Sequence, residues 1–223
     1  MKLKSSFPKV YPILDAPYLP VAGRKEFLRQ LIGELAEAGV EILQYRNKQG
    51  DAAEMLADAR TMRAAAGNRM QLIMNDWPEL ALEAEFDGVH VGQTDMDPAA
   101  ARAIVGEEKI VGVSTHNEAQ LRTAEAEPLD YIAIGPVYGT VSKENPDPVV
   151  GLEGVRIART ITKKPLVAIG GITAANAAAV WEAGADSVAV ISAIFKREDN
   201  AARSVRELLA IPSRNHKIFQ QPL

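Results

Sequence analysis

Gln44, Arg46 and Lys48 stand at alternate positions, so on an extended segment an amide and two cations share one face. Two cations pointing into one space are costly unless an anion meets them, which suits a phosphate or pyrophosphate. A polar strand end paired with local carboxylates is the plainer alternative. A second group with the same chemistry is Thr140, Ser142 and Lys143, two hydroxyls and an ammonium in a loop after the apolar run Tyr131–Ile134 and its Gly135-Pro136 stop. Asp76 and Asp95 follow the ends of two further apolar runs. Two carboxylates brought together raise one another's pKa unless a cation lies between them. Mg²⁺ takes carboxylate oxygens together with substrate phosphates and waters, which fits a site that also holds Lys and Arg. Helix capping is the competing role for Asp76, and for Asp97 it is the one adopted. Gly170-Gly171-Ile172 and Ser192 add a second phosphate cradle, although Gly-Gly also serves any tight turn.

The remaining polar residues narrow the chemistry. His90 reads as an inward strand residue, His116 as a loop residue and His216 as part of the tail, and none has metal-ligand or triad spacing. Ser114 lacks an activating partner and reads as a hydrogen-bond donor. The chain has no cysteine, which removes disulfides, thiolate nucleophiles and Cys-based zinc sites, and fits a reducing compartment. Two phosphate groups around a metal, without a general-base pair, favour substitution driven by departure of a bound pyrophosphate. Lys, Arg and metal would stabilise the charge that develops on it.

Such residues need a frame that gathers loops at one end. Eight apolar runs read as strands: Val10–Asp15, Ile42–Arg46, Leu72–Asn75, Gly88–Val91, Ile110–Val113, Tyr131–Ile134, Leu166–Ile169 and Val188–Ile191. Helical patterns separate and follow them at 24–38, 51–66, 78–84, 98–105, 117–126, 152–160, 174–183 and 201–210. Strict alternation implies parallel strands with right-handed crossovers, either an open doubly wound sheet or a closed barrel. An internal echo favours the barrel: Gly39-Val40-Glu41-Ile42, Phe86-Asp87-Gly88-Val89, Leu129-Asp130-Tyr131-Ile132 and Ala185-Asp186-Ser187-Val188 precede alternate strands. No dinucleotide Gly-x-Gly-x-x-Gly follows the first strand. The expected fold is therefore α/β, a single (β/α)8 TIM barrel over 1–211 with a loose C-terminal tail at 212–223. Its site would lie on the loops after the strands.

Composition agrees. With 223 residues, 47% hydrophobic and 24% charged, a sizeable core can be buried. A net charge of -4 argues against a general nucleic-acid or acidic-membrane partner. The start carries no secretory signal and no run approaches the ~20 apolar residues of a membrane span, so a cytoplasmic protein is expected. A homo-oligomer is compatible with all of this.

The motifs Gln44-x-Arg46-x-Lys48, Asn75-Asp76, Gly88-Val89-His90-Val91-Gly92-Gln93-x-Asp95, Gly112-x-Ser114-Thr115-His116-Asn117, Gly135-Pro136-x-Tyr138-x-Thr140-x-Ser142-Lys143 and Gly170-Gly171-Ile172 together resemble the thiamine phosphate synthase family. The resemblance runs from the first strand to the eighth. It implies a Mg²⁺-dependent, dissociative transfer: a pyrimidine methyl pyrophosphate is joined to a thiazole phosphate, or its carboxylated form, with release of pyrophosphate. Carried over by motif, Gln44, Arg46, Lys48, Asn75, Ser114 and Lys143 would hold the pyrimidine pyrophosphate, with Tyr45 and Asn47 in the same segment. Asp76 and Asp95 would bind Mg²⁺, and Thr140, Ser142, Gly171, Ile191 and Ser192 the thiazole phosphate. Lys143, Arg46 and Ser114 would act on the reacting groups. Asn47, Gly139 and Trp77 depart from the family's usual residues, and none of the three removes a ligand-bearing side chain. A thiazole tautomerase of the same barrel would not need Asp76, Asp95, Arg46, Lys48 and Lys143; the alternative that stays open is a non-catalytic thiazole phosphate-binding protein, against which the intact metal residues count.

Overall fold

The computed structural model describes residues 7–140, 147–196 and 200–212. Each parallel strand is a short, nearly continuous apolar run, as burial on both faces demands. The strands are β1 (Val10–Asp15), β2 (Ile42–Arg46), β3 (Gln71–Asn75), β4 (Gly88–Val91), β5 (Ile110–Thr115), β6 (Tyr131–Ile134), β7 (Leu166–Ile169) and β8 (Ser187–Val190). They pair in chain order, and β8 returns to β1, closing the expected barrel. Eight helices cross back between or after them: α1 (Arg24–Glu37), α2 (Ala52–Ala66), α3 (Pro78–Glu83), α4 (Pro98–Val105), α5 (Glu118–Ala126), α6 (Gly151–Ile161), α7 (Ala177–Glu182) and, last, α9 (Ala201–Ala210). Asp51, Asp97 and Asn117 start their helices as side-chain caps, accepting from Glu54 N, from Ala99 and Ala100 N, and from Gln120 N.

Among the described residues, two short elements add to the expectation, a single 3₁₀ turn at Ala16–Tyr18 after β1 and a helix after β8. A four-residue helix, α8 (Ser192–Phe195), begins directly after β8, and β8 itself ends at Val190 rather than Ile191. Four residues hold too little periodicity to be read from sequence.

The echo before alternate strands has a physical cause. Asp87 accepts from the Leu72 backbone N–H of β3 at 2.8 Å and from Arg63 of α2 at 2.5 Å. Asp130 accepts from Val111 N of β5 at 2.8 Å and from Arg102 of α4 at 2.5 Å. Asp186 accepts from Leu166 N of β7 at 2.8 Å and from Arg159 of α6 at 2.8 Å. Each arginine also caps carbonyls past its own helix: Gly67 O for Arg63, Gly106 and Lys109 O for Arg102, and Lys164 O for Arg159. Three charge-assisted clamps thus lie at the N-terminal ends of the strands. The opposite end is left for chemistry.

Inside the barrel, Phe7, Tyr11, Ile13, Ile42, Ile73, Ile110, Tyr131, Val167 and Ala189 pack together. Tyr131 fits because Gly112 faces it: a Cβ at Gly112 would lie 2.1 Å from Tyr131 Cζ. The apolar plug gives way to polar side chains towards the C-terminal ends of the strands.

Candidate active site

Asp76 leaves β3 with φ at +72°, a left-handed conformation rare for a side chain other than glycine, and its N–H donates to His90 O at 2.9 Å. Strained backbone of this kind persists where surrounding structure enforces it. Asp95 folds back after β4 and accepts from Gly92 N at 3.0 Å. A Cβ at Gly92 would lie 2.6 Å from Asp95 Oδ2, so a larger residue would obstruct that return.

The two carboxyls meet around one ammonium. Lys48 Nζ donates to Asp76 Oδ2 and lies 3.3 Å from Asp95 Oδ1. Burial, reinforced by the hydrogen bond and charge of Asp95, raises the Asp76 carboxyl from its ordinary 3.8 to about 6, against the pull of Lys48. Burial also works to raise Asp95, but the Asp76 hydrogen bond, the Lys48 charge and Gly92 N–H outweigh it, and Asp95 is lowered. The pair therefore holds a proton unevenly, as two close carboxyls do. Lys48 Nζ lies between the two carboxyls and offsets part of their mutual repulsion. Two carboxylates beside an ammonium fit a Mg²⁺ whose remaining ligands are phosphate oxygens and waters. Among the described residues no three His, Asp or Glu side chains form a closed metal cage, so any such ion would depend on a ligand for the rest of its shell.

Arg46, at the end of β2, is held from the side by Asp15 at the end of β1, Nη1 to Oδ2 at 2.7 Å. The two are register partners. Gln44, facing inward on the same strand, donates to Tyr11 OH at 3.0 Å. On β5, Ser114 Oγ lies 2.8 Å from His90 Nε2, and Gln93 Nε2 donates to the Ser114 carbonyl at 2.6 Å. Burial pushes the His90 imidazole down to about 4, so the ring is neutral near pH 7. Asn75, Asp76, Lys48, Arg46, Gln44 and Ser114 thus stand at the ends of β2, β3 and β5, on one side of the mouth.

Tyr45 and Asn47 are placed elsewhere. Tyr45 alternates outward, is fully buried, and donates to Asp58 Oδ2 of α2 at 2.6 Å, where Arg24 also binds. Asn47 donates to Tyr45 OH and to Glu54, and accepts from Gly50 N at 2.8 Å. Their side chains fix the β2 loop against α2 and do not join Gln44 and Arg46. The alternation that puts Gln44 and Arg46 inward sends Tyr45 the other way.

Across the mouth, the loop after β6 lies on the glycines after β7. Val137 N donates to Ile169 O and Tyr138 N to Gly170 O, at 2.8 and 3.0 Å. Gly170 and Gly171 have φ of +101° and +62°, and a Cβ on Gly171 would meet Gly139 O at 2.5 Å. The glycines are thus required for close packing of two loops, besides any ligand. Thr140 is half-buried at the edge of this region, and Ile191 and Ser192 stand where β8 passes into α8. Ser142 and Lys143 lie outside the described residues.

Sequence reasoning passed over three participants. Asp15 was visible as the register partner of Arg46 only once strand pairing was known. Tyr11 and Tyr131 read as core aromatics, yet their hydroxyls lie 3.0 Å apart, and Tyr131 OH is 2.8 Å from His90 Nδ1. A tyrosine in place of phenylalanine inside an otherwise apolar barrel was the available signal.

The thiamine monophosphate synthase family profile matches residues 11–194. The chain is 51% identical over 185 residues to the thiamine-phosphate synthase of Koribacter versatilis (strain Ellin345), covering 83% of this chain and 88% of that one. It is 40% identical over 208 residues to that of Chloroflexus aurantiacus, covering 91% and 93%. Among solved structures, the thiamine phosphate pyrophosphorylase of Pyrococcus furiosus superimposes with a TM-score of 0.78 at 32% identity, over 90% of this chain and 93% of that one. With the profile matched from residue 11 to residue 194, and relatives of this identity and coverage, the chain belongs to the thiamine monophosphate synthase family.

Proposed function

We propose that the mouth of this barrel joins 4-amino-2-methyl-5-(diphosphooxymethyl)pyrimidine to 4-methyl-5-(2-phosphooxyethyl)thiazole, giving thiamine phosphate and pyrophosphate, or to its carboxylated form, giving the same two products and CO₂. The observation that carries the assignment of roles is the Asp76–Lys48–Asp95 group, with Arg46 braced by Asp15 beside it. In this reading Arg46, Lys48 and Asn75 take the pyrophosphate, and Asp76 and Asp95 are the residues that would hold Mg²⁺. The ion would supply positive charge to the departing oxygens.

The reaction breaks the bond between the pyrimidine methylene carbon and the pyrophosphate oxygen, whose electron pair leaves with the pyrophosphate. The thiazole nitrogen then gives its lone pair to that carbon. Arg46 and Lys48 stabilise the charge that grows on the leaving group, and Lys143, outside the described residues, would add to them. Gln44 and Ser114 orient the pyrimidine ring so that the cationic methylene faces the thiazole. Gly171, Ile191, Ser192, Thr140 and Ser142 would hold the thiazole phosphate across the mouth. No helix among the described residues is long and apolar enough to cross a membrane, and a cytoplasmic enzyme acting on small phosphorylated substrates is the reading that fits.

The test supplies purified protein with both substrates and Mg²⁺ and measures thiamine phosphate and pyrophosphate. Both products should appear in equal amounts and disappear with a chelator. Folded protein that makes neither product would overturn the proposal.

A further inference from the structure

A hydrogen-bonded chain crosses the barrel interior beneath the mouth. It runs from Gln44 Nε2 to Tyr11 OH at 3.0 Å, to Tyr131 OH at 3.0 Å, to His90 Nδ1 at 2.8 Å, and from His90 Nε2 to Ser114 Oγ at 2.8 Å. Five strands, β2, β1, β6, β4 and β5, contribute one residue each. Gln44, Tyr11, Tyr131 and His90 are all buried. The His90 and Tyr131 rings stack with centroids 5.5 Å apart, and Tyr131 is wedged against Phe7 at 4.9 Å, so the tyrosine hydroxyl has little freedom to turn elsewhere.

The amide at the Gln44 end makes the chain one-way. An amide nitrogen only donates, so Tyr11 OH accepts from Gln44. The Tyr11 proton then goes to Tyr131 OH, its other partner among the described residues, and the Tyr131 proton to His90 Nδ1. A neutral imidazole with Nδ1 accepting carries its proton on Nε2, and that N–H donates to Ser114 Oγ. The Ser114 proton is left to point away from His90.

We propose that Tyr11, Tyr131 and His90 are positioning residues that pass this single hydrogen-bond direction from Gln44 to Ser114, making Ser114 a donor to the substrate. Reversal of the Gln44 amide would reverse every bond in the chain and turn Ser114 into a donor to His90 instead. The two ends therefore read a ligand jointly. Gln44 keeps its Oε1 to accept from an N–H, and Ser114 offers its proton to a lone pair. An amino-substituted nitrogen heterocycle carries both groups on one edge. That last identification rests on the synthase reading; the direction of the chain does not.

The direction is read by the ring-nitrogen shifts of His90 in ¹⁵N-labelled full-length protein at neutral pH, without substrate. The chain has 3 histidines, so His116→Gln and His216→Gln variants assign them. The expected result is a protonated Nε2 and a bare Nδ1; a proton on Nδ1 would overturn the proposal. Gln44→Glu places an acceptor-only group at the start and should move the proton to Nδ1. An unchanged tautomer in that variant would show that Gln44 does not set the direction. Tyr131→Phe keeps the ring and removes the link, and should lower kcat about tenfold, the weight of one oriented hydrogen bond, with KM for the thiazole phosphate unchanged. Unchanged kcat, or a KM change in its place, would remove the positioning role. A wild-type protein with an Nε2–H ring and no synthase activity would sink the functional reading while leaving the chain's direction intact.

Discussion

Replacing Asp76 with Asn should make the metal-free protein more stable while abolishing its turnover. The Asp76 carboxyl is raised from 3.8 to about 6, first by burial and then by Asp95. Its folded pKa exceeds its unfolded one, so its contribution to stability is complete below about pH 4 and is lost as pH rises through about 6. At pH 7.5 the folded protein carries an ionised Asp76 against that preference. Raising a carboxyl that far corresponds to roughly 3 kcal/mol, which partial exposure to solvent reduces to about 1–2 kcal/mol. The substituted amide would be neutral at every pH, so Asp76→Asn should recover this amount only above pH 6. In a chain of this size that is an increase in Tm of about 3–6 °C. Thermal unfolding in a chelating buffer from pH 4 to 8 measures it. The difference between variant and wild type should grow between pH 4 and 6 and then level off. A difference independent of pH, or a wild type more stable than the variant at pH 7.5, would refute the reasoning. The Lys48 ion pair would then outweigh the burial of the carboxyl.

Other outcomes follow from the same geometry. Tyr45→Phe should cost about 1–2 kcal/mol in urea unfolding, through the lost bond to buried Asp58, with KM for both substrates unchanged. A raised KM would return Tyr45 to the substrate. Gly112→Ala should destabilise by roughly 1–3 kcal/mol, because its Cβ would meet the Tyr131 ring, and the loss should shrink in a Gly112→Ala, Tyr131→Leu double variant. Asp130→Ala should cost about 3 kcal/mol by leaving buried Arg102 and Val111 N without their partner, while kcat per folded molecule stays normal. Asp95→Ala should leave folding nearly intact and raise the Mg²⁺ concentration required for turnover, measured by metal titration of the activity.

The barrel could be read from the chain because its signals are local. Apolar runs of strand length, a cap such as Asp97, and the recurrent Asp before alternate strands each act within a few residues of where they are read. The mouth residues were legible for the same reason: a position at the end of a strand is a sequence property. What escaped was any property set by pairing across the sheet. Tyr45 and Asn47 sit in the same short segment as Gln44 and Arg46, and only the packing of α2 shows that Asp58 claims Tyr45 and Glu54 claims Asn47. Asp15 needed the register of β1 on β2, and the partnership of Tyr11 with Tyr131 joins residues from opposite halves of the chain. His90 was rightly placed inward, but its bond to Ser114 depended on the pairing of β4 with β5.

The three arginine–aspartate clamps have a consequence for where the chain can be cut. Each ties the helix before a strand, that strand, and the residue that begins the next one, so it spans a connection at the end remote from the mouth. Opening the backbone at such a connection, for instance between Gly106 and Lys109, would divide a clamp between two ends of the chain. Opening it within the mouth loop after β2 or β4 would leave all three whole, because those loops fall outside the segments 63–87, 102–130 and 159–186 that the clamps span. Circular permutants with new termini in those two mouth loops should therefore fold, while those opened at the clamped turns should not. The same separation allows the mouth loops to change their residues without loosening the ring that carries them.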